Sequence, residues 1–181
     1  MIVLGINDTH DSSACILKNG ETIAAIAEER TQRIKNIAGF PQYAIKEVLK
    51  EANIKKNQVD IVAVANLNLT QTNLWSLNSN FKISDFLKLH KDYYYKWIYT
   101  KERPKLKNVF PDYNPKGKYF YPLKKIPFIT SNESNKTIQD NLYLLRLNYI
   151  SKFLKIDKSK IFFFDHHHCH ALYSYFFSKQ R

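Results

Sequence analysis

Cysteine is nearly missing from this chain of 181 residues. The two present, Cys15 and Cys169, are too few and too far apart for a disulfide framework, so a reducing interior is expected. The same count argues against a Cys-rich structural zinc site. No apolar run approaches the ~20 residues that span a bilayer, so no membrane partner is expected. The opening Met1-Ile2-Val3-Leu4-Gly5 shows neither a basic leader nor a cleavage site, which reads as a cytoplasmic protein. Glycine is scarce, and neither a P-loop nor a dinucleotide fingerprint occurs. Acidic residues number 16 against 28 Lys and Arg, a formal net charge of +12. That sign suits nucleic acid, a membrane surface or an anionic small substrate. Its placement favours a solvated surface instead: lysines are dense from Lys82 to Lys125 and sparse near the candidate site.

Histidine is concentrated where cysteine is not. Four of the six histidines fall between His166 and His170, directly after the apolar run Ile161-Phe162-Phe163-Phe164 and Asp165. Asp is a favoured helix N-cap, and Ala171, Leu172, Tyr175 and Phe176 recur at helical spacing. The stretch therefore reads as a buried strand, a tight turn and a helix starting near His166. Residues four apart share a helix face, so His166 and His170 project side by side and could bind one metal ion. A third ligand must come from elsewhere, because Asp165 is better explained as the cap. His167 and His168 point off that face, and His167 could contact substrate or move a proton. The competing reading is a polar helix start that picks up metal only weakly.

Upstream, Ile2 to Ile6 reads as a strand, and Asn7 to Ser13 as a polar turn. Ala14 to Lys18 is a second strand ending at Asn19-Gly20, a hairpin signal, and Glu21 to Ala27 is a third. The turn could hold phosphate and place a carboxylate, or be an ordinary Asx and Ser turn. Glu28, Glu29 and Arg30 read as surface charge pairs of little value. A helix follows Pro41 to about Asn53, then a strand from Val59 to Ala65, for an order β-β-β-α-β. From about Leu67 to Lys155 the chain turns rich in Asn, Lys, Tyr and Phe. Helices are expected near Ile83 to Thr100 and Asn141 to Phe153, joined by a proline-containing link. Tyr93, Tyr94 and Tyr95 could stack bases, but aromatics at this spacing more often pack a helix.

Four pieces together resemble the carbamoyltransferases of nodulation-factor and antibiotic biosynthesis, which are related to the tRNA threonylcarbamoyl-transfer enzymes. Gly5 to Ala14, with its His10-Asp11-Ser12-Ser13-Ala14 core, looks like the family's opening loop. Ala27 to Lys35 looks like its Glu-Glu-Arg segment, and Gly39-Phe40-Pro41 like the entry to its first helix. Asp165 to Ala171 fits its Asp-His-His-x-x-His-Ala motif. The likeness is strong at both ends and weak in the middle.

The resemblance implies an α/β fold of the actin/Hsp70/sugar-kinase kind, RNase H-like, cut off after the histidine helix. Residues 1–66 and 156–181 would be the core of an N-terminal half, with an insertion at about 67–155. It implies that His166 and His170 hold a divalent metal, Fe2+ first and Zn2+ second, with a further Asp ligand beyond residue 181. It implies that carbamoyl phosphate and ATP yield carbamoyl-adenylate in a separate C-terminal domain. The carbamoyl group then passes to a hydroxyl of a sugar or natural-product acceptor. His10, Asp11 and His167 are the catalytic candidates, and Ser12, Ser13, Glu29 and Arg30 the substrate-binding ones. The second half of the fold and the ATP domain are missing from the sequence, so the chain is expected to be inactive alone and to need its remaining part or a partner chain. Two other readings compete: a basic module gripping nucleic acid through its Lys/Tyr-rich middle, and a tRNA-modifying relative. The opening loop and the Glu-Glu-Arg piece favour the first reading.

Overall fold

The first thirty residues hold short apolar runs, and the structure turns them into strands whose burial alternates residue by residue along β1 and β2. This is a computed structural model that describes residues 1–35, 37–69, 82–111, 121 and 135–178, with the backbone alone at 107, 135–138 and 177. Strands β1 (Ile2–Asn7), β2 (Ser13–Lys18) and β3 (Glu21–Ala27) form an antiparallel meander. The hairpin between β2 and β3 turns on Asn19 and Gly20, both at positive φ (53° and 89°), the conformation an Asn-Gly pair accepts most readily. Strand β4 (Ile61–Val64) lies parallel to β1, with Ile6 opposite Val64, and β5 (Ile161–Phe163) lies parallel to β4. The sheet order is β3-β2-β1-β4-β5.

One face of the sheet carries the large side chains. Leu4, Ile6, Ala14, Ile16, Val62 and Val64 are buried there. Helix α2 (Gln42–Glu51) adds Ala44, Ile45, Val48 and Leu49, which recur at helical spacing. The long helix before β5 adds Leu142, Ile150 and Leu154 to the same core. The other face is built from small residues. Gly5, Cys15, Ala25 and Ala63 floor a trough of about 490 Å³ that Ala65, Phe164 and Cys169 help to line.

The described residues also form α1 (Glu28–Gln32) before α2, and between β4 and β5 the helices α3 (Ile83–Leu89), α4 (Lys96–Tyr99), α5 (Leu106–Val109) and α6 (Asn135–Leu154), with short 3-10 turns at Lys56–Gln58 and Lys158–Lys160. Helix α7 (His166–Phe177) follows β5. The helix expected near 83–100 is present, but a π-helical turn at His90–Tyr95 interrupts it. The helix expected at 141–153 starts six residues earlier, at Asn135. Pro115, Pro122 and Pro127 of the expected link lie outside the described residues.

Two expectations are corrected. Strand β5 is not buried throughout: Ile161 is, but Phe162 and the following Phe164 are 46% exposed. It is the edge strand, and among the described residues only one face of the sheet is covered by large side chains. Glu28 is no surface charge. It is fully buried, and its carboxylate accepts N–H bonds from Tyr43 (3.2 Å) and Ala44 (2.6 Å). The residue before α2 is Pro41, which has no side-chain cap to offer. Glu28 reaches across from α1 and satisfies the first N–H groups of α2 instead.

Candidate metal and catalytic site

Strands β1, β4 and β5 run parallel, so the chain leaves all three at one edge of the sheet. The segments that follow β1 and β5 carry the histidines, and the end of β4 contributes the Ala65 carbonyl. After β1 the bend is stapled by Asn7. Its Nδ2 donates to the carbonyls of His10 (3.0 Å) and Asp11 (3.2 Å). Its Oδ1 accepts from the Thr9 amide (3.2 Å) and hydroxyl (2.7 Å). This local bonding lets Asp11 hold φ at 50° and leaves the His10 and Asp11 side chains about two-thirds exposed. His10 Nδ1 lies 3.8 Å from Asp11 Oδ2.

After β5, Asp165 is the N-cap the sequence indicates. Its Oδ1 accepts from the amides of His167 (2.9 Å) and His168 (3.1 Å). The His168 N–H first, and the His167 N–H after it, hold its carboxyl below the ordinary aspartate range. The cap starts α7 with His166 facing the end of β4. His166 Nδ1 lies 3.2 Å from the Ala65 carbonyl oxygen. A carbonyl can only accept, so in the neutral ring this contact places the proton on Nδ1 and leaves the lone pair on Nε2. One turn on, His170 Nε2 stands 3.1 Å from His166 Nε2. His10 meets His166 edge to face, with ring centroids 5.6 Å apart.

The donor set fits two positions of a first-row cation. Metal–imidazole bonds of about 2.1 Å put two adjacent ligand nitrogens roughly 3.0–3.4 Å apart, close to the separation of this pair. The Ala65 carbonyl behind His166 is the kind of outer partner that fixes a ligating tautomer. Among the described residues, no group of three His, Cys, Asp or Glu side chains forms a metal cluster. Two ligands are therefore what these residues supply.

The other candidates scatter. His167 is 92% exposed, its ring centroid 5.9 Å from that of His166. Ser12 is buried, and both its amide (3.0 Å) and its hydroxyl (3.2 Å) donate to the Ile37 carbonyl. Ser13 lines the trough. Glu29 and Arg30 sit on α1, their charged atoms 3.8 Å apart, with Arg30 pointing to solvent. They stay near the opening loop, because the Glu28 amide donates to the Ser12 carbonyl (2.8 Å). Cys169 and Cys15 both line the trough, and burial pushes both thiols up.

Asp8, Tyr121 and Arg146 did not stand out in the sequence. Asp8 and Arg146 form a buried two-pronged pair, with Nε to Oδ2 and Nη2 to Oδ1 both at 2.8 Å. The Tyr121 hydroxyl donates to Asp8 Oδ2 (2.6 Å). One signal was available: Arg146 interrupts the stripe Leu142, Ile150, Leu154, where four-residue spacing leaves a cation among core positions. No helix among the described residues is long and apolar enough to cross a membrane.

A family model described as carbamoyltransferase N-terminus matches residues 2–180. An uncharacterized protein of Synechocystis sp. is 43% identical over 61 residues, 33% of this chain and 10% of that protein. An uncharacterized protein of Methanocaldococcus jannaschii is 35% identical over 63 residues, 35% of this chain and 12% of its own. Nodulation protein NolNO of Sinorhizobium fredii is 35% identical over 54 residues, 30% of this chain and 8% of its own. The matched stretches thus span about a tenth of these relatives.

Proposed function

Since this chain belongs to the carbamoyltransferase N-terminal family, we propose that it is the acceptor-side part of an O-carbamoyltransferase. The observation that carries the reading is the meeting of three imidazoles, His10, His166 and His170, at one edge of the sheet. Two separate motifs, far apart in sequence, supply them. The strand order β3-β2-β1-β4-β5, with its antiparallel meander and two added parallel strands, supports an actin-like, RNase H-like fold.

His166 and His170 would hold a divalent cation, Fe2+ or Zn2+, through their Nε2 atoms. When bound, such a cation supplies Lewis-acid polarisation or lowers the pKa of an alcohol. The chain's own residues do the rest. His10, carried on the Asn7-stapled bend, takes the proton of the acceptor hydroxyl, and Asp11 beside it orients the ring. The acceptor oxygen bonds to the carbamoyl carbon as the bond from that carbon to the adenylate oxygen breaks. AMP leaves with the electron pair. His167, at the exposed rim, is the second proton-carrying candidate. The carbamoyl-adenylate itself arises from ATP and carbamoyl phosphate in another part of the protein or in a partner chain. The acceptor is a small molecule bearing a hydroxyl, and neither a membrane nor a nucleic acid enters the reaction.

The test compares the full-length wild type with His166→Ala, His170→Ala and the control His168→Ala. After loading with Fe2+ or Zn2+, the first two variants lose the bound metal and carbamoyl transfer, while His168→Ala keeps both. Equal metal content in all four proteins would overturn the ligand assignment. Unchanged transfer by His10→Ala would remove His10 from the proton step.

A further inference from the structure

Arg146 touches every strand end that builds the site. Through Asp8 it holds the bend after β1, at 2.8 Å on both prongs. Its Nη2 donates to the Asn66 carbonyl (2.6 Å) and its Nη1 to the Leu67 carbonyl (3.4 Å), just past the end of β4. Its guanidinium carbon lies 4.6 Å above the Phe163 ring, the last residue of β5. The guanidinium is 1% exposed and Asp8 is fully buried. One planar group thus joins three segments that are far apart in the chain.

Each segment leads within two or three residues to a site atom. Asp8 is two residues before His10. Asn66 follows Ala65, whose carbonyl sets the His166 tautomer. Phe163 is three residues before His166. We propose that Arg146 is a positioning residue: its clasp on Asp8, Asn66 and Phe163 places the Ala65 carbonyl and His10 against His166. This proposal rests on the metal-site reading for its consequence, but not for its geometry. A guanidinium suits the task, because its rigid fork can serve a carboxylate and a carbonyl at once. A lysine ammonium is a point charge and can keep Asp8 paired only by releasing the carbonyls.

The test uses Arg146→Lys, with Leu154→Ala as a core variant on the same helix that leaves the clasp intact. Long-range proton–nitrogen NMR reads the His166 tautomer in metal-free protein, and Co2+ titration followed by its visible absorption reads the pair as ligands. In the wild type and in Leu154→Ala, His166 is expected as a single Nδ1–H tautomer. In Arg146→Lys the two tautomers mix, and Co2+ affinity falls about tenfold, the loss typical when an outer partner of a ligand is disturbed. If Arg146→Lys fails to fold, Asp8→Asn, which keeps the shape and loses one charged prong, carries the test with a smaller change in the same direction. A folded Arg146→Lys or Asp8→Asn with the wild-type tautomer overturns the proposal. So does equal mixing in Leu154→Ala. Absence of Co2+ binding by the wild type would defeat the metal reading alone, since the tautomer is read without metal.

Discussion

Replacing Glu28 by alanine should cost more stability than any exposed charge on this chain. The reason lies in where its carboxylate goes. Helix α2 begins after Pro41, which offers no side-chain cap, and its third amide, that of Ala44, lies in the core. Glu28 accepts from Tyr43 N at 3.2 Å and Ala44 N at 2.6 Å, and Ala44 is fully buried. Leaving a buried donor unsatisfied costs about 1–3 kcal/mol per group. Glu28→Ala strands two of them, one only partly buried, so the expected loss is about 2–4 kcal/mol. Glu28→Gln keeps one acceptor oxygen and loses the negative charge at the helix start, for roughly half that loss. With a urea slope of about 2 kcal/mol per molar, the midpoint drops by about 1–2 M for alanine. Glu47→Ala is the control: among the described residues Glu47 pairs only with Lys50, at 3.1 Å on the surface, and its loss should stay within about 0.5 kcal/mol. The assay is equilibrium urea unfolding of the three variants and the wild type. If Glu28→Ala costs no more than Glu47→Ala, the buried carboxylate is not what starts α2.

Two other outcomes follow from single contacts. A Cβ built on Gly5 falls 2.6 Å from Cys15 Sγ across the β1–β2 pair; Gly5→Ala should cost about 1–3 kcal/mol, the range for overpacking. Adding Cys15→Ala should recover most of that loss in a double-mutant cycle, and additive losses would show that the contact is not the cause. Asp157 starts the turn into β5, and its carboxyl is held below the ordinary range by the Ser159 hydroxyl first and the Ser159 amide next. A depressed carboxyl stabilises the fold above its unfolded value of about 3.9 and loses that contribution as pH falls through the folded value. Below about pH 4 the wild type should therefore lose stability relative to Asp157→Asn. Parallel stability–pH curves through that window would refute it.

Much of this protein was legible before any coordinates. Short apolar runs marked the strands, Asn19-Gly20 marked the hairpin, and Asp165 announced both the cap and the helix whose spacing pairs His166 with His170. These are short-range facts, set by backbone sterics, side-chain periodicity and bonds within a few residues. Tertiary structure decided what reaches across the chain. It brought His10 to His166 and turned His166 toward the Ala65 carbonyl. It also buried Glu28 under a helix start some fifteen residues away and joined Asp8 to Arg146 in the core. A charged residue in sequence looks the same whether solvent or a partner satisfies it. Only the packing of distant segments, which excludes water and supplies the opposite group, tells the two apart.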